Sequence, residues 1–308
     1  MEETWRQQLG EDRILLIDGA TGTELQRRGV PMDEVAWSGA AVLSHPDIVR
    51  ATHEDYIHSG ARVITTNTFG STRQMLEPAG YGDQVGVVHR DAVRLAVEAR
   101  DNAGVPGVAI AGSISTEPPR FDREAFFAPD KELAAYREAA ELLAAAGADL
   151  IALEMINEEN HASRAMTAAK ETGLPVWLGV GCKKTDDGRI VSFDHPDIAF
   201  ETLLDALIPM GPDVINIMHS EIAAVPGAIE LLRERWTGPV GVYPESGYFT
   251  APHWNFVDVI EPADFVNEAL GWVAAGARLL GGCCGTSPEH IRALQAALPD
   301  LEAARAAA

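Results

Sequence analysis

Two adjacent thiols, Cys283 and Cys284, lie in the stretch Gly281-Gly282-Cys283-Cys284-Gly285-Thr286. The apolar run Ala277-Arg278-Leu279-Leu280 before them reads as a short buried strand. Ser287-Pro288-Glu289-His290 after them reads as a helix start, with Ser as N-cap and Pro in the first turn. Glycines on both sides remove Cβ atoms and permit positive φ, so a metal or ligand can come close to the backbone. The chain has three cysteines, the third being Cys182, and so no ordinary disulfide framework. Metal binding, redox chemistry and plain burial in a tight turn are the uses that remain, and the glycine framing favours metal.

The elements that must position this turn repeat one phrase: a short apolar run, a polar or glycine-containing turn, then a stretch with helical spacing. Eight apolar runs occur, at 14–17, 63–64, 108–111, 150–153, 176–178, 214–217, 240–243 and 279–280. They do not alternate with polar residues, as expected of parallel strands covered on both faces. Helical spacing links Leu133, Tyr136, Ala140 and Leu143, and recurs from Ile222 to Trp236. Gly60, Gly147, Gly173 and Gly276 stand where helices should end before the next strand. Eight βα units predict an α/β fold, a (β/α)₈ TIM barrel forming a single domain over residues 1–308, with an Ala-rich tail at 299–308. A doubly wound open sheet would carry a Gly-x-Gly-x-x-Gly turn after its first strand, and Asp18-Gly19-Ala20-Thr21-Gly22-Thr23 is not one.

A barrel places the C-terminal ends of its strands on one rim. Residues expected there are Asp18, Thr66 with Asn67, Gly112 with Ser113, Glu154, Cys182, His219, Glu245, and Cys283 with Cys284. Zinc (Zn2+) accepts thiolate and imidazole donors in a tetrahedral shell, and a catalytic site leaves one position open. His219, Cys283 and Cys284 would supply three donors and leave the fourth to a thiol, which a metal deprotonates. His219 as a strand-end hydrogen-bonding group is the competing use, and Cys182 is a rival donor or a small buried hydrophobe. Asp18 and Glu154 are placed to hold an ammonium group or do acid/base work, or else to cap a helix. Trp37, before Ser38-Gly39-Ala40, offers a π face to a cationic methyl donor or packs its loop.

Composition narrows the partners. Lys plus Arg number 24 against 46 Asp plus Glu, and a net charge of −22 disfavours nucleic acid and anionic membranes. No apolar run approaches the roughly 20 residues that span a bilayer, and the first residues lack a secretory pattern, so the cytoplasm is the expected location. A homo-oligomer is neither required nor excluded.

These residues resemble the homocysteine S-methyltransferase family, which includes betaine-homocysteine and S-methylmethionine-homocysteine methyltransferases. The similar motifs are Asp18-Gly19-Ala20-Thr21-Gly22-Thr23-Glu24-Leu25, Thr66-Asn67-Thr68-Phe69, Ala111-Gly112-Ser113-Ile114, Leu153-Glu154, Val242-Tyr243-Pro244 and Gly281 to Pro288. They run in family order between residues 12 and 298. The resemblance implies a zinc-dependent barrel that moves a methyl group from a small sulfonium or quaternary ammonium donor to a thiol, with homocysteine giving methionine. It implies that Cys283 and Cys284 are zinc thiolates, that Asp18 and Glu154 hold the amino-acid acceptor, and that Trp37 lines the donor pocket. With them, Thr66, Asn67, Ser113 and Glu245 are expected to bind substrate.

The sequence also departs from the family pattern. The third zinc donor of the family is a Cys after the sixth strand, where this chain reads Met218-His219-Ser220. His219 in that place makes a Cys₂His shell with one less negative charge. Gly70 stands where the betaine enzymes carry Tyr, Ser115 where Gly is usual, and Glu245 where Asn follows the Tyr-Pro pair. A different thiol acceptor or an unusual onium donor is therefore the second expectation, and a non-catalytic zinc- or ligand-binding barrel the third.

Overall fold

The computed structural model describes residues 4–307. Its main sheet takes one strand from each expected unit: β1 (Leu15–Leu16), β2 (Val63–Thr65), β3 (Ala109–Ser115), β4 (Leu150–Ile156) and β5 (Val176–Val180) in the first five. A hairpin follows, β6 (Cys182–Lys184) with β7 (Ile190–Ser192), and then the sixth and seventh sheet strands, β8 (Val214–Glu221) and β9 (Val240–Glu245). A second hairpin, β10 (Tyr248–Thr250) with β11 (His253–Asn255), precedes the last sheet strand, β12 (Leu279–Leu280). The sheet order is β1-β12-β9-β8-β5-β4-β3-β2, and a parallel bridge from Ile17 to Val63 joins its two ends. The result is a closed (β/α)₈ barrel, as expected.

Strand side chains alternate between the barrel interior and the helix layer, and both destinations are apolar. Leu15, Val63, Ala109, Leu150, Trp177, Val214 and Leu279 belong to the inner cluster. Leu16, Ile64, Ile110, Ile151, Leu178, Ile215, Val242 and Leu280 belong to the outer one, under the helices. Helix α1 (Trp5–Gly10) begins at a Thr4 capping box and lays Trp5 edge-on against Trp177, with ring centroids 5.3 Å apart. Trp177 lies at the N-terminal end of β5, so α1 closes the barrel floor.

The four glycines expected at helix ends all have positive φ, between 75° and 121°. The stretch that composition marks as an Ala-rich tail is a helix, Leu298–Ala307, with Leu301 fully buried and Arg305 paired to Asp12 at 2.6 Å. Both hairpins lie beyond strand C-termini and build up the rim that the site occupies.

Helix Pro46–Ser59 packs His53 completely out of solvent, and neither ring nitrogen has a hydrogen-bond partner among the described residues. Burial lowers its pKa to about 4 from the ordinary 6.5. The unfolded chain therefore binds an extra proton between those values, so stability is complete above pH ~6.5 and is lost as pH falls toward 4. From pH 7 to pH 5 this residue should cost about 2 kcal/mol. Urea unfolding of His53→Leu at the two pH values should show a correspondingly smaller loss than the parent; an equal loss would assign the acid sensitivity elsewhere.

Candidate active site

The cysteine turn is held through its backbone. Cys283 N–H donates to Pro244 O at 2.9 Å, and Ser246 N–H donates to Cys284 O at 2.9 Å. Gly285 has φ 83°, and a Cβ there would sit 1.7 Å from Ser246 O, so only glycine fits. Its N–H donates to Thr23 Oγ1 at 3.1 Å, and Arg27 donates to its carbonyl at 3.0 Å. Thr23, Glu24 and Arg27 lie on the short helix Thr21–Arg27, where Glu24 holds Arg27 at 2.6 Å. The opening motif that carries Asp18 thus also clamps the thiols.

His219 approaches from β8, where the register with β9 shifts between Met218 and Glu221 and the His219 backbone is left-handed, φ 45°. Met155, beside Glu154, repeats the device at a bulge in β4 with φ 55°. Such backbone is strained for residues with a Cβ, and at both strand ends it redirects a functional side chain into the cup. His219 Nδ1 lies 3.6 Å from Cys283 Sγ, close to the ~3.5 Å expected between N and S donors on one tetrahedral zinc. The donor atoms of His219, Cys283 and Cys284 all lie within 4.8 Å of one another, so two sulfurs and an imidazole fit a metal ion of zinc type. The hydrogen bond from Cys284, assisted by His219, brings the Cys283 thiol down to about 6, while that bond and burial push Cys284 up. Burial works to lower the His219 pKa, but Glu245 and Cys283 outweigh it and raise it well above the ordinary value.

Asp18 and Glu154 are buried. Burial raises Asp18 well above the carboxylate range, against hydrogen bonds from the Thr65 N–H (2.7 Å) and hydroxyl (3.0 Å). Burial likewise pushes Glu154 up to about 7, against the hydrogen bond that Ser113 donates to it. These two carboxylates, with His219, Cys283 and Cys284, line one cavity of about 520 Å³, within the ordinary range for small-molecule sites. Its lining includes six carboxylates, Asp18, Glu117, Glu154, Asp194, Glu221 and Glu245, and no Lys or Arg among the described residues. Such a lining favours a ligand that carries positive charge.

Aromatic faces form the outer part of the cavity. Trp37, buried and left-handed at φ 51°, meets Phe69 edge-on at 5.9 Å. Phe249, from the second hairpin, contacts Phe121 at 4.7 Å and Trp254 at 6.4 Å, and Phe193 lies against His219 at 4.9 Å. Thr66 and Asn67 line the cavity, but their polar atoms are already engaged. Thr66 Oγ1 accepts from Ser113 N–H, and Asn67 holds the Ser38 carbonyl at 2.8 Å, fixing the Trp37 loop. Cys182 is fully buried in the outer core, its thiol pushed up to about 12 by desolvation, and it is outside the three-donor group. Thr65, Phe193, Phe249 and Trp254 escaped the strand-end reading: Thr65 works partly through its backbone, and the aromatics sit on hairpins without apolar periodicity.

The family described as homocysteine S-methyltransferase matches residues 15–298. Among curated relatives, homocysteine S-methyltransferase 3 of Zea mays is 29% identical over 308 residues, covering 92% of this chain and 90% of its own. The selenocysteine methyltransferase of Astragalus bisulcatus is 27% identical, covering 92% and 91%. Among solved structures, the metallated form of the homocysteine methyltransferase MmuM from Escherichia coli aligns with TM-score 0.72 at 26% identity, over 94% of this chain and 98% of that one.

A Cβ on Gly22 would fall 2.3 Å from the Trp37 ring, so this glycine of the opening motif makes room for the tryptophan. Gly22→Ala should displace Trp37 and destabilise the protein by about 1–3 kcal/mol, the usual cost of overpacking. Urea unfolding and the tryptophan emission spectrum check this, and an unchanged spectrum with parental stability would refute it.

Proposed function

Because the chain belongs to the homocysteine S-methyltransferase family, and so is an S-methyltransferase acting on a homocysteine-like thiol, we propose that it holds zinc through His219, Cys283 and Cys284. We further propose that it transfers a methyl group from a small sulfonium or quaternary ammonium donor to homocysteine, giving methionine. The observation that carries this reading is a cavity lined by six carboxylates and, among the described residues, no Lys or Arg, beside a two-sulfur, one-nitrogen donor group. Family membership sets the non-catalytic barrel aside.

Bound zinc would keep the acceptor as a thiolate near neutral pH, which removes the need for a general base. Asp18 and Glu154 receive the acceptor's ammonium group, whose charge relieves the cost of keeping two buried carboxylates ionised. Thr65 and Ser113 orient those carboxylates. Trp37 and Phe249 offer π faces to a donor cation, and the aromatic walls exclude water from the space where the methyl group moves. Thr66 and Asn67 act by positioning the Ser113 backbone and the Trp37 loop. The thiol chemistry requires reduced cysteines, which favours the cytoplasm. A different thiol acceptor or an unusual onium donor is the second reading, supported by His219, whose imidazole makes the donor group less negative than three thiolates would.

Purified protein should contain about one zinc per chain. It should methylate homocysteine from at least one of S-methylmethionine, dimethylsulfoniopropionate, betaine or S-adenosylmethionine, read by mass spectrometry. Cys283→Ser should lose both metal and turnover; protein with neither zinc nor methyl transfer would sink the proposal. Glu154→Gln should raise KM for homocysteine about tenfold or more, with a smaller effect on 3-mercaptopropionate, which lacks the amino group. Equal effects on both thiols would remove Glu154 from ammonium recognition.

A further inference from the structure

The base of the cup is crossed by the ring of Tyr243, which points from β9 into the barrel interior and lines the cavity, 4% exposed. A Cβ on Gly179 would sit 3.1 Å from the Tyr243 hydroxyl, 2.7 Å from Met218 Cγ and 2.8 Å from the Leu153 carbonyl. Gly179 lies on β5, and β8 runs between β5 and β9. The phenol therefore reaches across β8, and its hydroxyl ends in the space that a glycine leaves on β5.

The strand it crosses is built to match. Asn216 on β8 pairs in register with Gly179 on one side and Gly241 on the other. A Cβ on Gly241 would overlap Asn216 Oδ1, so this glycine gives the carboxamide its place. Asn216 is fully buried, and neither of its polar atoms completes an aligned hydrogen bond among the described residues. Its carboxamide nevertheless lies close enough to act on the Tyr243 hydroxyl. A buried amide that packing alone does not need costs free energy, and holding the tip of Tyr243 gives it a use.

Burial keeps the phenol protonated, its pKa well above the ordinary 10, and the charges of Glu154, Cys283 and Asp18 push the same way. The hydroxyl thus lies in the field of both ends of the acceptor site: the carboxylates assigned to the ammonium group, and a thiolate assigned to the metal that holds the sulfur. We propose that Tyr243 sets the length of the thiol acceptor, whose methylene chain lies over the ring between the metal-bound sulfur and the ammonium group. The ring leaves no depth for a longer chain. This inference rests on the reading of Asp18 and Glu154 as the ammonium site and of His219, Cys283 and Cys284 as the metal site. Asn216 and Gly179 are positioning residues that fix how far the ring reaches.

A series of acceptors differing by one methylene tests it: cysteine, homocysteine and 2-amino-5-mercaptopentanoate. Methyl transfer is followed by mass spectrometry in the parent, Tyr243→Phe, Tyr243→Leu and Tyr243→Met, with the donor that the parent uses best. Circular dichroism confirms which variants fold, and either shortened side chain suffices for the comparison. A pocket separates substrates that differ by one methylene by about 10–200-fold. The parent should therefore prefer homocysteine, and Tyr243→Leu or Tyr243→Met should raise kcat/KM for the longest thiol relative to homocysteine at least about tenfold. Tyr243→Phe, which keeps the ring, should leave that ratio within about threefold of the parent. An equal loss on all three thiols in the shortened variants would reduce Tyr243 to barrel packing and overturn the proposal, as would a parent without preference among the lengths. A parent that methylates none of the three would instead defeat the acceptor reading itself.

Discussion

The site depends on one constraint: two neighbouring thiols must be fixed in a turn whose glycines have no side chains to pack. Backbone hydrogen bonds supply the fixation. Pro244 and Ser246 at the end of β9, Thr23 on the first helix, and Arg27 reaching over Gly285 pin the turn from separate parts of the chain. Gly282 N–H donates to Asp18 O at 3.2 Å, which couples the turn to the first strand. The first and last sheet strands are two residues long, and that same seam carries Asp18 and the thiols. Pairing of the first and last strands therefore brings Asp18 beside the thiol turn.

Electrostatics add a cost that the ligand-free fold carries. Burial pushes Glu154 up to about 7 and raises Asp18, so the empty cup holds carboxylates that resist ionisation. A positively charged ligand offsets that cost on entry, which makes recognition of charge and repair of the fold the same interaction. Left-handed backbone at Met155 and His219 belongs to the same pattern, in which local strain persists because the surrounding barrel over-determines it.

Much of this was legible in the residues. Apolar runs and helix-ending glycines specify eight βα units because parallel strands need hydrophobic cover on both faces. The barrel rule then gathers Asp18, Glu154, His219, Cys283 and Cys284 at one rim, where they are found. The hairpins 182–192 and 248–255 were not legible, since their strands are only three residues long and carry no apolar period. With them went Phe193, Phe249 and Trp254. Engagement of Thr66 and Asn67 in holding neighbouring backbone was equally hidden, because residue type does not reveal which hydrogen bonds a rim side chain has already made. Glu245 reads from sequence as one more rim carboxylate; only the structure shows its 3.0 Å approach to His219 Nδ1.

The tryptophan of the first helix has a consequence for traffic. With Trp5 set against Trp177 the floor of the barrel is capped, and residues of the second hairpin and the Trp37 loop line the cup at the opposite end. Reactants must therefore approach from the rim side. A molecule seated deep in the cup is then covered by whatever enters after it.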